Sequence, residues 1–469
     1  MNDTEVLIIG GGISGLSTAS WLAQLGIEVE LWEANSRTGG KIRSRKDNGY
    51  LTEQAAGILM NFRPQIDHLI DSLDLNESKS PRSKTLRRHI IHQGALTEMP
   101  MTIPGIMTSS LWSRQTKLHL ATECLIPRRK KAHESVSEFI ERRFGREILE
   151  KAIDPFIAGT LASDPNQADA AAVLPRLTAL ESRYGSITVG ILIHKILKRR
   201  RVNNADTFSF KNGMQTLTDA LSDSPNIDIR RNHKAVTIEK TKTGWCATAT
   251  TFSGERTIRC KHLVLSTPAD ISAALMATID KTISDQLKSI EYAPLAIVHY
   301  GFDQSQIKHP LNGSGFLIPG GEKYAFNGNL WMSTLFNHRA PDGKVLMTSY
   351  MGGARRSEQV GWRDEKLHQT LQQNLKQLLG IKGEAEYQRI DRHQQGLPLY
   401  HGAYQKKMEQ LKKGLESWQG LHLAANYLGG VSVRERIFQG LQTADRISLT
   451  LGSQKKVYLP EQQEGLLST

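Results

Sequence analysis

A strand, a glycine-rich turn, a helix and a second strand fill residues 5 to 33 and predict an α/β protein built on a doubly-wound, Rossmann-type domain. Two more observations complete the fold class. β-like runs between residues 295 and 353 imply a second, mainly antiparallel sheet, and a helical stretch from about 97 to 200 stands before them as an insertion.

The elements follow in order. EVLIIG reads as a buried strand, GGISG as the turn, LSTASWLAQLG as a helix stopped by Gly26, and IEVELWE as the next strand. A glycine-containing irregular stretch runs to about residue 60, and a helix is expected from Pro64 to Leu75. FIERRFGREILEKAIDPFI is amphipathic at the helical period. TFSFKNGMQTLTDAL returns to mixed structure, and IDIRRNHKAVTIEKT, WCATATTF and HLVLSTP suggest a hairpin and a returning sheet strand. The second sheet is carried by LAIVHYGF, GFLIP and KVLMTSYMGG, followed by a helix from Asp364 to Leu379. Near the carboxyl terminus, GLHLAANYLGGVSVRERIFQGLQTADRI is again strand, glycine turn and helix, a shape that closes nucleotide sites.

The composition, 39% hydrophobic and 23% charged over 469 residues, excludes disordered, collagen-like and disulfide-scaffold classes. Cys124, Cys246 and Cys260 lie far apart, so neither a CxxC metal site nor a disulfide framework is expected, and a reducing, cytoplasmic compartment fits. The apolar runs Val6 to Ile9 and Ile187 to Leu197 are too short for a signal core or a span. A net charge of +13 asks for an anionic partner: nucleic acid, a membrane surface or an acidic substrate. No nucleic-acid reader motif accompanies the charge, so nucleic acid is not expected.

Chemistry concentrates in Gly10-Gly11-Gly12-Ile13-Ser14-Gly15, a GxGxxG directly after a strand and opening a helix. Gly10 allows the tight turn, Gly12 lets backbone approach a pyrophosphate, and Gly15 lets the helix pack on the strand. Glu33 ends the second strand, where a carboxylate holds ribose hydroxyls. The fingerprint is shared by NAD and FAD proteins. Arg37, Gly39, Gly40 and Lys41 add a second glycine pair and two cations, suited to the longer FAD, and no second GxGxxG provides for a separate nicotinamide module. One non-covalent FAD is therefore expected, with electrons coming from the substrate. No hydrolytic triad, HExxH or carboxylate pair stands out, as suits a site where the cofactor breaks the bond. No metal and no protein catalytic group are assigned; His393 and His401, flanking GLPLY, read as ordinary loop histidines.

The chain also resembles the protoporphyrinogen oxidases, a family within the amine-oxidase-like flavoproteins. The resemblance runs along nearly its whole length: GGGISGL, SRTGGKIRS, EFIERRFGREI, GTLASDP, PRLTALESRYGSI, FSFKNGMQTL, HLVLSTP, GFLIPGGE, LFNHRAPDG, SYMGG, GLPLYHGAY and GGVSVRERI. It implies oxidation of a porphyrinogen in haem biosynthesis, six electrons leaving in three flavin cycles with oxygen as acceptor. Coproporphyrinogen III, or an amine or isoprenoid substrate of the wider superfamily, stands as the alternative. It further implies that flavin contacts extend to Ala55, Ala56, Gly57, Ile58, Val236, Asn426, Val431, Ser432 and Val433, and that Arg88, Gly159 and Tyr350 contact the macrocycle, with Arg88 pairing a propionate.

The chain departs from the family pattern in places. Glu53-Gln54-Ala55-Ala56-Gly57 replaces Glu-x-Gly-Pro, Ala425 stands where glycine is usual, and Arg436 where cysteine is common. The resemblance divides the chain into FAD-binding parts at 1–80, 205–285 and 406–469, substrate-domain strands at 81–96, a helical, membrane-associating insertion at 97–204 and a substrate-binding domain at 286–405. From Ser80 to Lys131 ten lysines and arginines face two acids, beside the apolar run MTIPGIMTSSLW, and Lys198 to Arg201 form a second cluster. Cations beside apolar residues predict peripheral contact with anionic lipid. A homodimer stands as an open expectation.

Overall fold

The computed structural model describes residues 3–83, 86–129, 133–197 and 206–452. Lys84, Lys130, Lys131 and the cluster Lys198 to Arg201 lie outside the described residues.

Val6 to Ile9 are all buried, as a parallel strand covered on both faces must be. Their strand, Asp3–Ile9, sits between Val29–Glu33 and Gly254–Leu265 in parallel. Ile227–Arg231 extends the sheet beyond Val29–Glu33, and Leu421–Leu423 pairs with the end of Gly254–Leu265, both again parallel. Trp245–Thr251 and Lys234–Lys240 add an antiparallel hairpin. On one face the helices Ile13–Gln24 and Val433–Thr450 pack together at Gly440, where a Cβ would lie 2.9 Å from the Thr18 nitrogen. Trp21 Nε1 donates to the Ile437 carbonyl at 3.2 Å across the same contact.

The second sheet runs Tyr387–Pro398, Tyr292–Asp303, Lys344–Gly352, Gly328–Trp331, Gly313–Leu317, Arg87–His92 and Ala95–Glu98. It is antiparallel except where Gly313–Leu317 meets Arg87–His92. Alternation divides its side chains. Ile91, Val298, Phe316 and Met347 face a helix, Asp364–Leu379, that buries Leu367, Leu371, Leu375 and Leu379 at a spacing of four. Ile90, Leu317, His299, Thr348 and Tyr350 face the other way, toward the nucleotide-binding part and the insertion.

Between Ile103 and Leu197 the described residues form a series of helices joined by turns and loops, while Thr97 and Glu98, counted from sequence as insertion, belong to the strand Ala95–Glu98. FIERRFGREILEKAIDPFI is not one helix: Gly145, at φ +86°, ends Val136–Phe144, and a π-type turn at Leu149–Ile153 precedes Asp154–Leu161. Leu111 and Trp112, read from sequence as an exposed apolar run, are buried against Ile90, so only the Met101 to Met107 part of that run is available outside.

An ion network holds the insertion together. Arg143, fully buried, reaches Glu123 at 3.1 Å and also Glu181. Glu123 in turn accepts from Ser186 Oγ and the Ile187 and Thr188 nitrogens, anchoring the start of Ile187–Leu197. Removing one member of a buried pair leaves an uncompensated charge. Arg143→Met is therefore expected to cost about 3–5 kcal/mol in urea unfolding; a cost under about 0.5 kcal/mol would place the pair outside the folding unit.

Acid attacks the same region. Burial pushes the Glu147 carboxyl up, but hydrogen bonds from Lys151, Thr116 and Ser113 outweigh it and bring it down from 4.5 to about 2. A carboxylate lowered on folding contributes fully above its unfolded value and loses that contribution as pH falls through the folded one. Glu147→Gln should flatten the decline of melting temperature between pH 4.5 and about 2.

Candidate functional site

At the amino terminus, three glycines are required for three different reasons. At Gly10, φ is +110° and a Cβ would meet the Ser266 carbonyl oxygen at 2.5 Å; at Gly15 it would meet the Gly10 oxygen at 2.0 Å. At Gly12 no protein atom lies within 4 Å of that position, so the turn is open to a ligand there. The helix Ile13–Gln24 carries no side-chain cap and no acid in its first turn, leaving its N–H groups for an anion. Glu33, buried at the end of its strand, accepts from the Gly11 nitrogen at 2.8 Å and from Asn35 Nδ2 at 2.6 Å. Its remaining lone pairs suit ribose hydroxyls.

The second glycine pair closes over the first. The Gly39 nitrogen donates to the Gly11 oxygen at 2.7 Å, and a Cβ on Gly40 would lie 3.1 Å from the Gly12 Cα. The two cations of that loop turn to backbone. Arg37 donates to the Thr38, Gly40 and Ile42 carbonyls, so it holds the loop's shape. Lys41 donates to the Gly396 carbonyl at 2.8 Å and to that of Gln395, tying the loop to the second sheet. Burial lowers its ammonium to about 8. Val236 sits at a bulge in Lys234–Lys240, the strand that starts just after His233 donates to the Glu33 carbonyl at 2.9 Å.

Ala55, Gly57, Thr348 and Tyr350 line a cavity of about 10 Å³ with Glu53 and His299, about the size of one water. Ala56 packs against the nucleotide-domain core and Ile58 against Tyr50 and Met332. Burial raises the Glu53 carboxyl, opposed by Arg339 at 2.7 Å, Ser44 and the Met214 nitrogen. Burial likewise keeps His299 neutral and pushes the Tyr350 hydroxyl up to about 12. His393 is in a strand, not a loop, and bonds the Gln54 carbonyl at 2.6 Å; His401 bonds Ser163 Oγ at 2.9 Å.

The carboxyl-terminal turn is held from behind. Tyr400 donates to the Asn426 carbonyl and Tyr404 to the Tyr427 carbonyl, each at 2.8 Å, while Arg436 donates to those of Ala425 and Leu428. Four successive carbonyls are thus occupied by side chains. Val431 and Ser432 follow on the accessible side, Ser432 capping the helix that begins at Val433. Two of the departures from the family pattern are thus in contact, Arg436 bonding the Ala425 carbonyl.

Gly159 lies inside the helix Asp154–Leu161, where a Cβ would meet Leu317 Cδ2 at 2.4 Å, so the insertion rests directly on the second sheet. Leu317, Gly328 and Tyr350 form one cross-strand row, continued by Ile90, and Arg88 stands two residues along on the same face, exposed. Gly159, Tyr350 and Arg88 therefore share a face although they are remote in sequence. Glu53, Arg339, His299, Arg436, Tyr400 and Tyr404 were not anticipated as a set. For Arg339 the available signal was its place in LFNHRAPDG.

This Rossmann-type sheet, glycine cradle and ribose-side acid, joined to a second sheet by an insertion, define a dinucleotide-dependent oxidoreductase. The profile of the flavin containing amine oxidoreductases matches residues 13–448, and the chain belongs to that family. It is 30% identical to protoporphyrinogen oxidase 2, chloroplastic/mitochondrial, of Arabidopsis thaliana, covering 94% of this chain and 93% of that one. It is 25% identical to the coproporphyrinogen III oxidase of Bacillus subtilis, over 93% of this chain and 96% of that one. Among solved structures, a "Putative protoporphyrinogen oxidase" from Exiguobacterium sp. 255-15 superposes with a TM-score of 0.80 at 22% identity, covering 96% and 100%. A putrescine oxidase double mutant superposes with a TM-score of 0.70 at 15% identity over 95% and 99%, a likeness of fold.

The cofactor is FAD, and the open space at Gly12 beside uncapped N–H groups fits its pyrophosphate. Gly12→Ala meets no protein atom, so it should leave the apoprotein's melting temperature unchanged while weakening FAD binding at least tenfold in a flavin-fluorescence titration. Gly15→Ala should lower both, since its Cβ collides with the turn itself.

Proposed function

We propose that this chain oxidises protoporphyrinogen IX to protoporphyrin IX, removing six electrons as three hydrides with three protons, and passing them to three molecules of oxygen to give three of peroxide. FAD, when bound, supplies the hydride acceptor and the route to oxygen. Glu33 holds the ribose side, and the turn after Asn426 closes the flavin end. The observation that carries the reading is the shared sheet face of Arg88, Gly159 and Tyr350 beneath the insertion, beside a cofactor cradle. There Tyr350 stays neutral against an apolar ring system, and Arg88 offers a guanidinium to a propionate. The insertion shields the row from water. The division at 97–204 and 286–405 is part of the same proposal.

Coproporphyrinogen III is the second reading, favoured by the likeness to the Bacillus subtilis enzyme. One experiment addresses both. Under anaerobic conditions the porphyrinogen that is the substrate should bleach the visible flavin band, and readmitted air should restore it with release of peroxide and porphyrin fluorescence. If neither porphyrinogen bleaches the flavin, the proposal fails.

Peripheral membrane contact belongs to this proposal too. Of the twelve large apolar side chains exposed among the described residues, seven lie in the insertion, including Met101, Leu118, Leu125, Ile191 and Leu192. Arg114, Lys117, Arg128 and Arg129 accompany them. No helix among the described residues is long and apolar enough to cross a membrane. Apolar side chains beside cations suit a surface of anionic lipid, at about 1 kcal/mol per cation. Flotation should be stronger with vesicles containing phosphatidylserine than with neutral ones; equal recovery would remove the electrostatic part of the idea.

A further inference from the structure

Two arginines from distant parts of the chain meet around the Phe62 ring, and a third, Arg63, stands next to them on the Phe438 ring. The guanidinium of Arg434, at the start of the carboxyl-terminal helix, lies 4.0 Å from the centre of the Phe62 ring. That of Arg176, at the start of the insertion helix Pro175–Tyr184, lies 4.6 Å from it. Arg63 is stacked on Phe438 at 4.0 Å and pairs with Glu435 at 3.0 Å. Glu435 also accepts from Arg434 at 2.9 Å, and Arg434 spends another nitrogen on the Met60 carbonyl. One carboxylate thus serves two arginines, while Arg176 has none among the described residues and is exposed. Arg63 carries the mark of this crowding: burial, with Arg434 and Arg176 adding to it against Glu435, lowers its pKa.

Like charges gather this way at a cost that an anion relieves. Arg434 spends its Nε on Glu435 and its Nη1 on the Met60 carbonyl and keeps Nη2, whereas Arg176 keeps its whole N–H edge, so the pair around Phe62 offers a carboxylate donors chiefly from Arg176. The place is also informative. Phe62 follows the Ala55 to Ile58 segment, Arg434 follows Val431-Ser432-Val433 directly, and Arg176 comes from the insertion, so the cluster stands where the proposed flavin end meets the insertion.

We propose that Arg176 and Arg434, stacked on Phe62, form a carboxylate subsite that binds a propionate arm of the substrate, a second such contact beside Arg88. The proposal rests on the porphyrinogen reading above and deepens it. A macrocycle with several propionates would be held at two separated points, which fixes its rotation over the flavin as well as its presence.

Arg176→Gln is the informative variant, because Arg176 is exposed and no hydrogen bond or ion pair of the described residues depends on it. It should raise KM for the porphyrinogen that bleaches the flavin about tenfold, as loss of one charge-assisted contact does. kcat should stay within about twofold, with the flavin content of the purified enzyme unchanged. Titration with the product porphyrin should weaken equally, whereas binding of its methyl ester, which has no carboxylate, should be the same in wild type and variant. Arg176→Gln with Arg434→Gln should weaken porphyrin binding further. Unchanged KM in both variants overturns the subsite, as does an equal loss of ester binding. Wild-type enzyme that leaves both porphyrinogens untouched overturns the functional reading itself, and the subsite falls with it.

Discussion

The buried pair of Glu53 and Arg339 sets the distance between the two halves of this molecule. Glu53 ends a strand beside the cofactor cradle, and Arg339 leaves a loop of the second sheet, 286 residues away. The carboxylate also accepts from Ser44 and the Met214 nitrogen, while the guanidinium reaches Ser209. Each charge is therefore satisfied by several partners, the condition under which a buried pair is tolerable. Because Glu53 lines the cavity together with His299, Thr348 and Tyr350, any slip between the sheets would act directly on the walls of that cavity.

That arrangement explains a pattern that sequence reading registered without a cause. The phrase LFNHRAPDG is distinctive, yet nothing local shows why its arginine matters; the reason is a contact across the fold. The glycine cradle was legible because its constraints are local: turn, close approach and helix start lie within six residues. The strands were legible because apolar runs and alternation are local too, and Asp364 to Leu379 was readable from its buried leucines. What stayed hidden are pairings between segments distant in the chain, such as Arg143 with Glu123 and the three donors behind residues 425 to 428. Charge counts also misplaced emphasis, since Leu111 and Trp112 beside the basic stretch are core residues.

The departures from the family pattern gain a physical meaning from the same contacts. Arg436 is a buried cation with no acid at hydrogen-bond distance among the described residues, balanced by carbonyl dipoles of the turn it supports and by Gln439. Burial brings it down to about 10, still charged at neutral pH. The two sides of this loop are thereby distinct: Val431 and Ser432 lie toward the accessible side, Val433 enters the core, and Tyr400, Tyr404 and Arg436 hold the backbone from the interior.

The order of strands in the first sheet has a consequence for how the protein is made. Asp3–Ile9 must wait for Gly254–Leu265, the edge of that strand waits for Leu421–Leu423, and Ile13–Gln24, which meets His68 earlier in the chain through Trp21, completes its cover with Val433–Thr450. During synthesis the amino-terminal cradle therefore emerges first and is completed last. The insertion, by contrast, closes largely on itself and can gain structure while the ribosome is still extending the chain.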